Sequence, residues 1–126
     1  MFKSLILPYL KKIFATLSVP SVLHICGKTN DIVSFMAESG ARAISVDQKN
    51  DVGETRKKLG PKALIFGNYD PYNVLVAGSP DIVRQTVKKC MDDGVSAVWP
   101  GCDIWPTVPP DNIRAMLDEV RNYRRA

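Results

Sequence analysis

Val22-Leu23-His24-Ile25-Cys26-Gly27 is an apolar segment that carries an imidazole and a thiol two positions apart and then breaks at a glycine. Side chains alternate along an extended strand, so Val22, His24 and Cys26 share one face and Leu23 and Ile25 the other. Two metal-ligating groups therefore leave the end of one strand side by side. A second segment answers the first far along the chain: Trp99-Pro100-Gly101-Cys102-Asp103 is a short apolar strand running into a Pro-Gly turn with a cysteine at its tip. The pattern is H-x-C-x75-C, and three N and S ligands with a vacant fourth position describe a catalytic rather than a structural zinc site.

Around these segments the chain repeats one strand-helix unit. Upstream, Ile6, Leu10, Ile13, Phe14 and Leu17 form a helical stripe, and the helix is expected to start near Pro8, which suits a first turn. Ser18-Val19-Pro20 ends it, and the strand bearing His24 begins near Ser21. Downstream, Thr29-Asn30-Asp31 offers an N-cap to an apolar face of Ile32, Val33, Phe35, Met36 and Ala37 that stops before Gly40. Ala43 to Asp47 reads as a second strand, with Ala43, Ser45 and Asp47 on one side, Ile44 and Val46 on the other, and its polar end exposed.

Asp51 to Leu59 is expected as a short helix closed by Gly60-Pro61. Ala63 to Phe66 follows as a third strand running into the turn Gly67-Asn68-Tyr69-Asp70-Pro71, with one more helical turn over Tyr72 to Ala77. Ser79 caps a helix that opens at Pro80, buries Val83, Val87, Cys90 and Met91, and stops at Gly94. Ser96 to Trp99 is the fourth strand, and Pro109-Pro110-Asp111-Asn112 opens a last helix with Ile113, Met116, Leu117 and Val120 inward. Strict alternation with no hairpin signal predicts an α/β fold of four βα units on a parallel sheet.

The totals narrow the function classes. A chain of 126 residues with 45% hydrophobic and 24% charged content is enough for one domain, residues 1–126, with a core. The net charge of +4 sits largely in Lys11-Lys12, Lys57-Lys58, Arg121, Arg124 and Arg125, without the interleaved aromatics of a strand-tracking surface, so no nucleic-acid partner is expected. No apolar run is long enough to cross a bilayer, so no membrane is expected either. Three cysteines and no signal-peptide pattern at the start point to a reducing, cytoplasmic setting.

The polar residues that stand out all fall at strand C-termini: His24 and Cys26, then Asp47, then Asn68 and Asp70, then Cys102 and Asp103. Parallel α/β proteins gather their sites at that end, because the loops there converge on one crevice. Asp47 and Asp70 each read two ways, as a cap for the helix that follows or as a group acting on a bound ligand. Asn68 reads as a turn former or a contact to a bound group. Cys90, mid-helix on an apolar face, reads as a small hydrophobe. Trp99 and Trp105 flank the Cys102 loop and are expected to pack it.

Leu23-His24-Ile25-Cys26-Gly27, Ala43 to Asp47, Gly67-Asn68-Tyr69-Asp70-Pro71, Pro100-Gly101-Cys102-Asp103-Ile104 and Pro109-Pro110-Asp111-Asn112-Ile113 together resemble the C-terminal half of the uroporphyrinogen decarboxylase superfamily. His-x-Cys with the later Gly-Cys-Asp is most similar to its cobamide-dependent coenzyme M methyltransferase branch. The resemblance implies half of a TIM barrel. It also implies zinc held by His24, Cys26 and Cys102, a corrinoid (methylcobamide) carried by a partner protein, and methyl transfer to a small thiol. Asp47 and Asp70 become candidates for substrate contacts or for orienting the ligands, and Asn68 for a contact to the bound group.

A barrel has eight such units and this chain four, which leaves two unpaired edges and an open inner face. Pairing with a second copy, pairing with an N-terminal half, or an open sheet with helices on both sides would each resolve that. Two rival functions follow from the same residues. One is a tetrapyrrole decarboxylase with Asp47 assisting proton transfer, although its arginine-rich segment would lie outside these residues. The other is a non-catalytic binding or assembly module.

Overall fold

The computed structural model describes residues 1–123; Arg124 and Arg125, counted above among the terminal charges, lie outside them. Four strands, β1 (Val22–Ile25), β2 (Ala43–Val46), β3 (Ile65–Tyr69) and β4 (Ala97–Pro100), form one parallel sheet in sequential order. Sequential order marks a barrel wall, since a doubly wound sheet reverses direction partway. Right-handed crossovers between sequential strands bring the connecting helices to the same side. The sheet is therefore covered on one face, where Leu23, Ile44 and Val46 are buried, while Val22, His24 and Trp99 are exposed. An open sheet sandwiched by helices is not what this chain forms.

The helices are α1 (Phe2–Leu5), α2 (Leu7–Ala15), α3 (Val33–Ala37), α4 (Val52–Leu59), a π-helical segment at Pro71–Val76, α5 (Pro80–Asp92) and α6 (Pro110–Asn122). Pro8 does sit in the first turn of α2, but a separate turn, α1, precedes it. Asp51 caps α4 by accepting from the Glu54 N–H, and Ser79 caps α5 by accepting from the Ile82 N–H. The α5 face is the one expected, with Val83, Val87, Cys90 and Met91 buried. Burying each such apolar side chain contributes about 1.5–3 kcal/mol. Among the described residues no helix is long and apolar enough to cross a membrane.

Four expectations are corrected. The Thr29-Asn30-Asp31 cap is not used: α3 starts later, behind Ile32 and without a side-chain cap, because the Thr29 N–H and hydroxyl both go to Asn50 Oδ1. Strand β3 runs through Gly67 and Asn68 instead of turning there, in register with Val98 and Trp99 of β4. Asp47 is buried, not an exposed strand end. Helix α6 is rotated from its predicted face. Asn112 and Ala115 are its most buried residues and Leu117 and Val120 are exposed, since Asn112 Nδ2 reaches back to the carbonyls of Leu75 and Gly78 at 2.9 and 2.8 Å.

The Tyr69 hydroxyl, on a side chain 2% exposed, donates to Met116 Sδ at 3.2 Å. Burial, helped by Cys90, pushes its pKa up to about 12. An unfolded tyrosine ionises near 10, so the folded chain holds this proton more tightly. Stability from this group is complete below about pH 10 and is lost as pH rises from there through about 12. Urea midpoints measured across that range should fall, and Tyr69→Phe should flatten the fall.

Candidate metal centre

His24 is the third residue of β1 and Cys26 follows the strand by one, so both leave the sheet on its open face. The ring nitrogen Nε2 of His24 lies 3.2 Å from Cys26 Sγ. Cys102 comes from the loop after β4, and its Sγ lies 3.5 Å from that of Cys26. Ligand atoms of all three residues fall within 4.8 Å of one another. At Zn–S of about 2.3 Å and Zn–N of about 2.0 Å, donors on a tetrahedral ion sit about 3.5–3.8 Å apart. The two close pairs need to open by a few tenths of an ångström and the third, within 4.8 Å, to draw in, movements that side-chain rotation supplies, and an imidazole with two thiols is a zinc-type set. The residues fit the ion.

Electrostatics point the same way. The Cys26 thiol is raised above its ordinary pKa, first by its hydrogen bond with the Cys102 sulfur, then by desolvation and by the fields of Cys102, Asp47 and Asp103. The Cys26 thiolate is therefore disfavoured in the metal-free site, and a divalent cation is the kind of charge that reverses this.

Two strand-end loops hold the donors. Behind Cys26, Gly27 turns with φ 86° and its N–H donates to Asp47 Oδ2 at 2.8 Å. Asp47 Oδ1 accepts from the Lys49 N–H at 2.9 Å, so both of its oxygens are engaged by backbone. Asp47 thus ties the Cys26 loop to the end of β2, while Asp51 caps the helix that follows. Asn68 Nδ2 donates to the carbonyls of Asp47 and Asn50 at 3.1 and 2.7 Å, binding β3 to the same loop, and its Oδ1 lies 4.0 Å from Cys90 Sγ.

Asp70 caps the π-helical segment, accepting from the N–H groups of Tyr72 and Asn73 and from Asn73 Nδ2. Burial alone would raise its carboxyl, but those hydrogen bonds together outweigh it and hold the pKa below the ordinary value. Trp99 lies tilted against Phe66 at 5.4 Å and Trp105 meets Tyr72 edge-on at 5.3 Å, so the ring contacts these two make are to Phe66 and Tyr72, and both remain half exposed. Cys90 is buried in α5, away from the cluster, and its thiol is raised by desolvation.

Three residues here escape a reading of the sequence. Ser45, buried in β2, places Oγ 3.0 Å from His24 Nδ1. The signal existed: His24 and Ser45 each occupy the third place of a four-residue strand, and the register pairs them. Asn50 holds the Cys26 loop from beneath, and Gly101 lets the Cys102 loop close over Gln48. Neither has a marker short of the fold itself.

Comparison with known proteins bears on what this centre belongs to. A family model described as uroporphyrinogen decarboxylase (URO-D) matches residues 1–123. Methylcobamide:CoM methyltransferase MtbA of Methanosarcina acetivorans is 40% identical over 121 residues, 94% of this chain and 35% of that protein. Methylcobamide:CoM methyltransferase MtaA of Methanosarcina barkeri is 35% identical over 123 residues, 97% of this chain and 36% of that protein. A uroporphyrinogen decarboxylase of Methylococcus capsulatus is 30% identical over 95 residues, 72% of this chain and 27% of that protein. A solved structure of a methyltransferase from Methanosarcina mazei superposes with a TM-score of 0.88 at 29% identity, covering 94% of this chain and 35% of that one. The chain thus spans about a third of the length of the curated relatives it matches.

Proposed function

The chain belongs to the uroporphyrinogen decarboxylase family, and from that footing we propose that it carries the zinc centre of a methylcobamide:thiol methyltransferase, with coenzyme M as the thiol. The observation that carries the proposal is the meeting of one imidazole nitrogen and two sulfurs within 4.8 Å at the strand ends. The methyltransferases also match more of the chain, and MtbA at higher identity, than the decarboxylase does.

In this reading His24, Cys26 and Cys102 are the zinc ligands. The bound ion would supply a substrate thiol that has shed its proton at neutral pH yet keeps a nucleophilic sulfur. The rest falls to the chain's own groups. Two cysteine sulfurs bring negative charge to the site and the imidazole brings none, which favours an electron-rich substrate sulfur. Asp47 and Asn68 anchor the Cys26 loop, and Asp70 shapes the mouth by holding the segment after β3; we assign all three to positioning. The methyl donor would be a methylcobamide on a corrinoid protein, in the cytoplasm, where the thiols stay reduced.

Edges bear on assembly. Among the described residues β1 and β4 each pair on one side only, and Val22, Trp99 and Val120 stand 40–42% exposed beside them. Unpaired parallel edges with apolar flanks call for a partner. We expect closure by a second copy or by a complementary half-barrel; a molar mass in solution above that of one chain, or a rise on adding such a half, checks this.

The functional test is metal content followed by turnover. Purified chain is expected to hold about one zinc. Together with the complementary half, it should demethylate methylcobalamin with coenzyme M, followed by cobalamin absorbance. Chain without zinc removes the proposal. Conversion of uroporphyrinogen to coproporphyrinogen would move the assignment to the decarboxylase, and zinc with neither activity would leave a binding or assembly module.

A further inference from the structure

We infer that Ser45 is a positioning residue of the centre: its hydroxyl fixes the tautomer and the angle of the His24 ring, so that Nε2 and not Nδ1 faces the sulfurs. The inference rests on the zinc reading and adds to it the group that makes His24 a competent ligand.

A neutral imidazole has one N–H and one lone pair, and to ligate through Nε2 it must keep its proton on Nδ1. That proton needs an acceptor, and ligating histidines find one in a carboxylate, a carbonyl or water. The carboxylate nearest in sequence on this face, Asp47, is spent on the N–H groups of Gly27 and Lys49. The atom that does stand at Nδ1 is Ser45 Oγ, 3.0 Å away, a hydroxyl with lone pairs to accept that proton, while Nε2 is turned to Cys26 Sγ at 3.2 Å, whose S–H can donate to a bare Nε2; the two contacts together, and not the hydroxyl by itself, favour the proton on Nδ1.

Ser45 is suited to the part by its fixity. It is 0% exposed, and its backbone lies in a strand flanked on both sides, opposite His24 in β1 and Phe66 in β3. The His24 side chain is exposed on an edge strand and has no such restraint of its own. A buried hydroxyl on a central strand thus contacts an exposed ring on an edge strand. Without it the ring can rotate, and a proton on Nε2 would block the lone pair that the ion needs.

The chain contains one histidine, so imidazole nitrogen signals in a 15N-labelled sample belong to His24 alone. Wild type, Ser45→Ala and Ser45→Thr are compared for zinc affinity, by competition with a chromophoric chelator, and for tautomer, by long-range 1H–15N NMR of the metal-free chain. Wild type should carry its proton on Nδ1. Ser45→Ala should move protons to Nε2 and weaken zinc about 10–100-fold. Ser45→Thr, which keeps the hydroxyl, should bind more tightly than Ser45→Ala. Equal zinc affinity in the alanine and threonine variants, or one tautomer in wild type and Ser45→Ala alike, overturns the inference. Wild type that binds no zinc overturns the zinc reading instead, and the tautomer comparison then decides the Ser45 contact by itself.

Discussion

Gly101→Ala is expected to empty the metal centre as thoroughly as Cys102→Ser does, although it removes no ligand and changes no charge. A Cβ at Gly101 would stand 2.3 Å from Gln48 Oε1, 2.5 Å from the Gln48 backbone nitrogen and 3.0 Å from Gln48 Cβ. The side-chain oxygen could swing aside, but the backbone nitrogen cannot. It follows Asp47, whose carboxylate is already held by two backbone donors. The loop must therefore retreat instead, and its own N–H is tied to the Tyr69 carbonyl at 2.8 Å. Overpacking of this kind costs about 1–3 kcal/mol. Relief of the clash has to move the next residue, and that residue is Cys102.

Cys26 and Cys102 stand 3.5 Å apart and the full donor set already spans up to 4.8 Å, so a further shift of about an ångström takes one sulfur out of reach of an ion held by the other two donors. Zinc affinity should fall by at least about a hundredfold, the upper end of what loss of a supporting group does, with Cys26→Ser and Cys102→Ser as reference points. Metal analysis after dialysis reads all three against wild type. A Gly101→Ala chain that keeps its zinc would mean that the Cys102 loop is free to adapt, and the close approach to Gln48 would carry no weight.

How far the sequence discloses this centre depends on the range of the force that places each residue. His24 and Cys26 are neighbours by strand period alone, so two residues suffice to see it. Cys102 joins them because parallel strands end at one face, a rule that needs only the order of elements. Gly67 and Asn68 look like turn residues, yet they lie in β3. A Cβ at Gly67 would press on Val46 Cγ2 at 3.2 Å and on the Val46 carbonyl at 3.3 Å, so the glycine serves a close strand contact. Nothing local encodes which neighbour a glycine leaves room for. Asp47 misleads for a similar reason: a carboxylate at a strand end reads as solvent-facing until the Gly27 N–H is known to point at it. In α6 the period is right and the rotation wrong, because rotation is set by Asn112 reaching two carbonyls some 35 residues away in sequence.

Asn50→Ala is expected to be among the most damaging single substitutions in the chain, at about 3–5 kcal/mol, although it deletes no apolar surface of note. Asn50 is 5% exposed and every hydrogen-bonding position of its amide is used. Its oxygen accepts from the Thr29 N–H at 2.7 Å and the Thr29 hydroxyl at 3.1 Å, and its nitrogen donates to the carbonyls of Gly27 at 2.9 Å and Asp47 at 3.1 Å. Thr29 is itself 4% exposed, so its N–H and hydroxyl would be stranded away from water, at about 1–3 kcal/mol for each buried group left unmatched. The Asp47 carbonyl keeps Asn68, and so adds little. Set against a domain stability of about 5–15 kcal/mol, the loss leaves the folded state marginal.

Asn50→Asp separates the two halves of the argument. A carboxylate can still accept from Thr29 but cannot donate, and it sets a buried anionic oxygen against the carbonyls of Gly27 and Asp47, so it should fall at or below alanine in urea midpoint. Because Gly27 follows Cys26, both variants should also weaken zinc in the same rank order. An alanine variant within about 1 kcal/mol of wild type would show that water replaces the amide in this loop, and the anchoring of Cys26 would then rest on the Asp47 carboxylate alone.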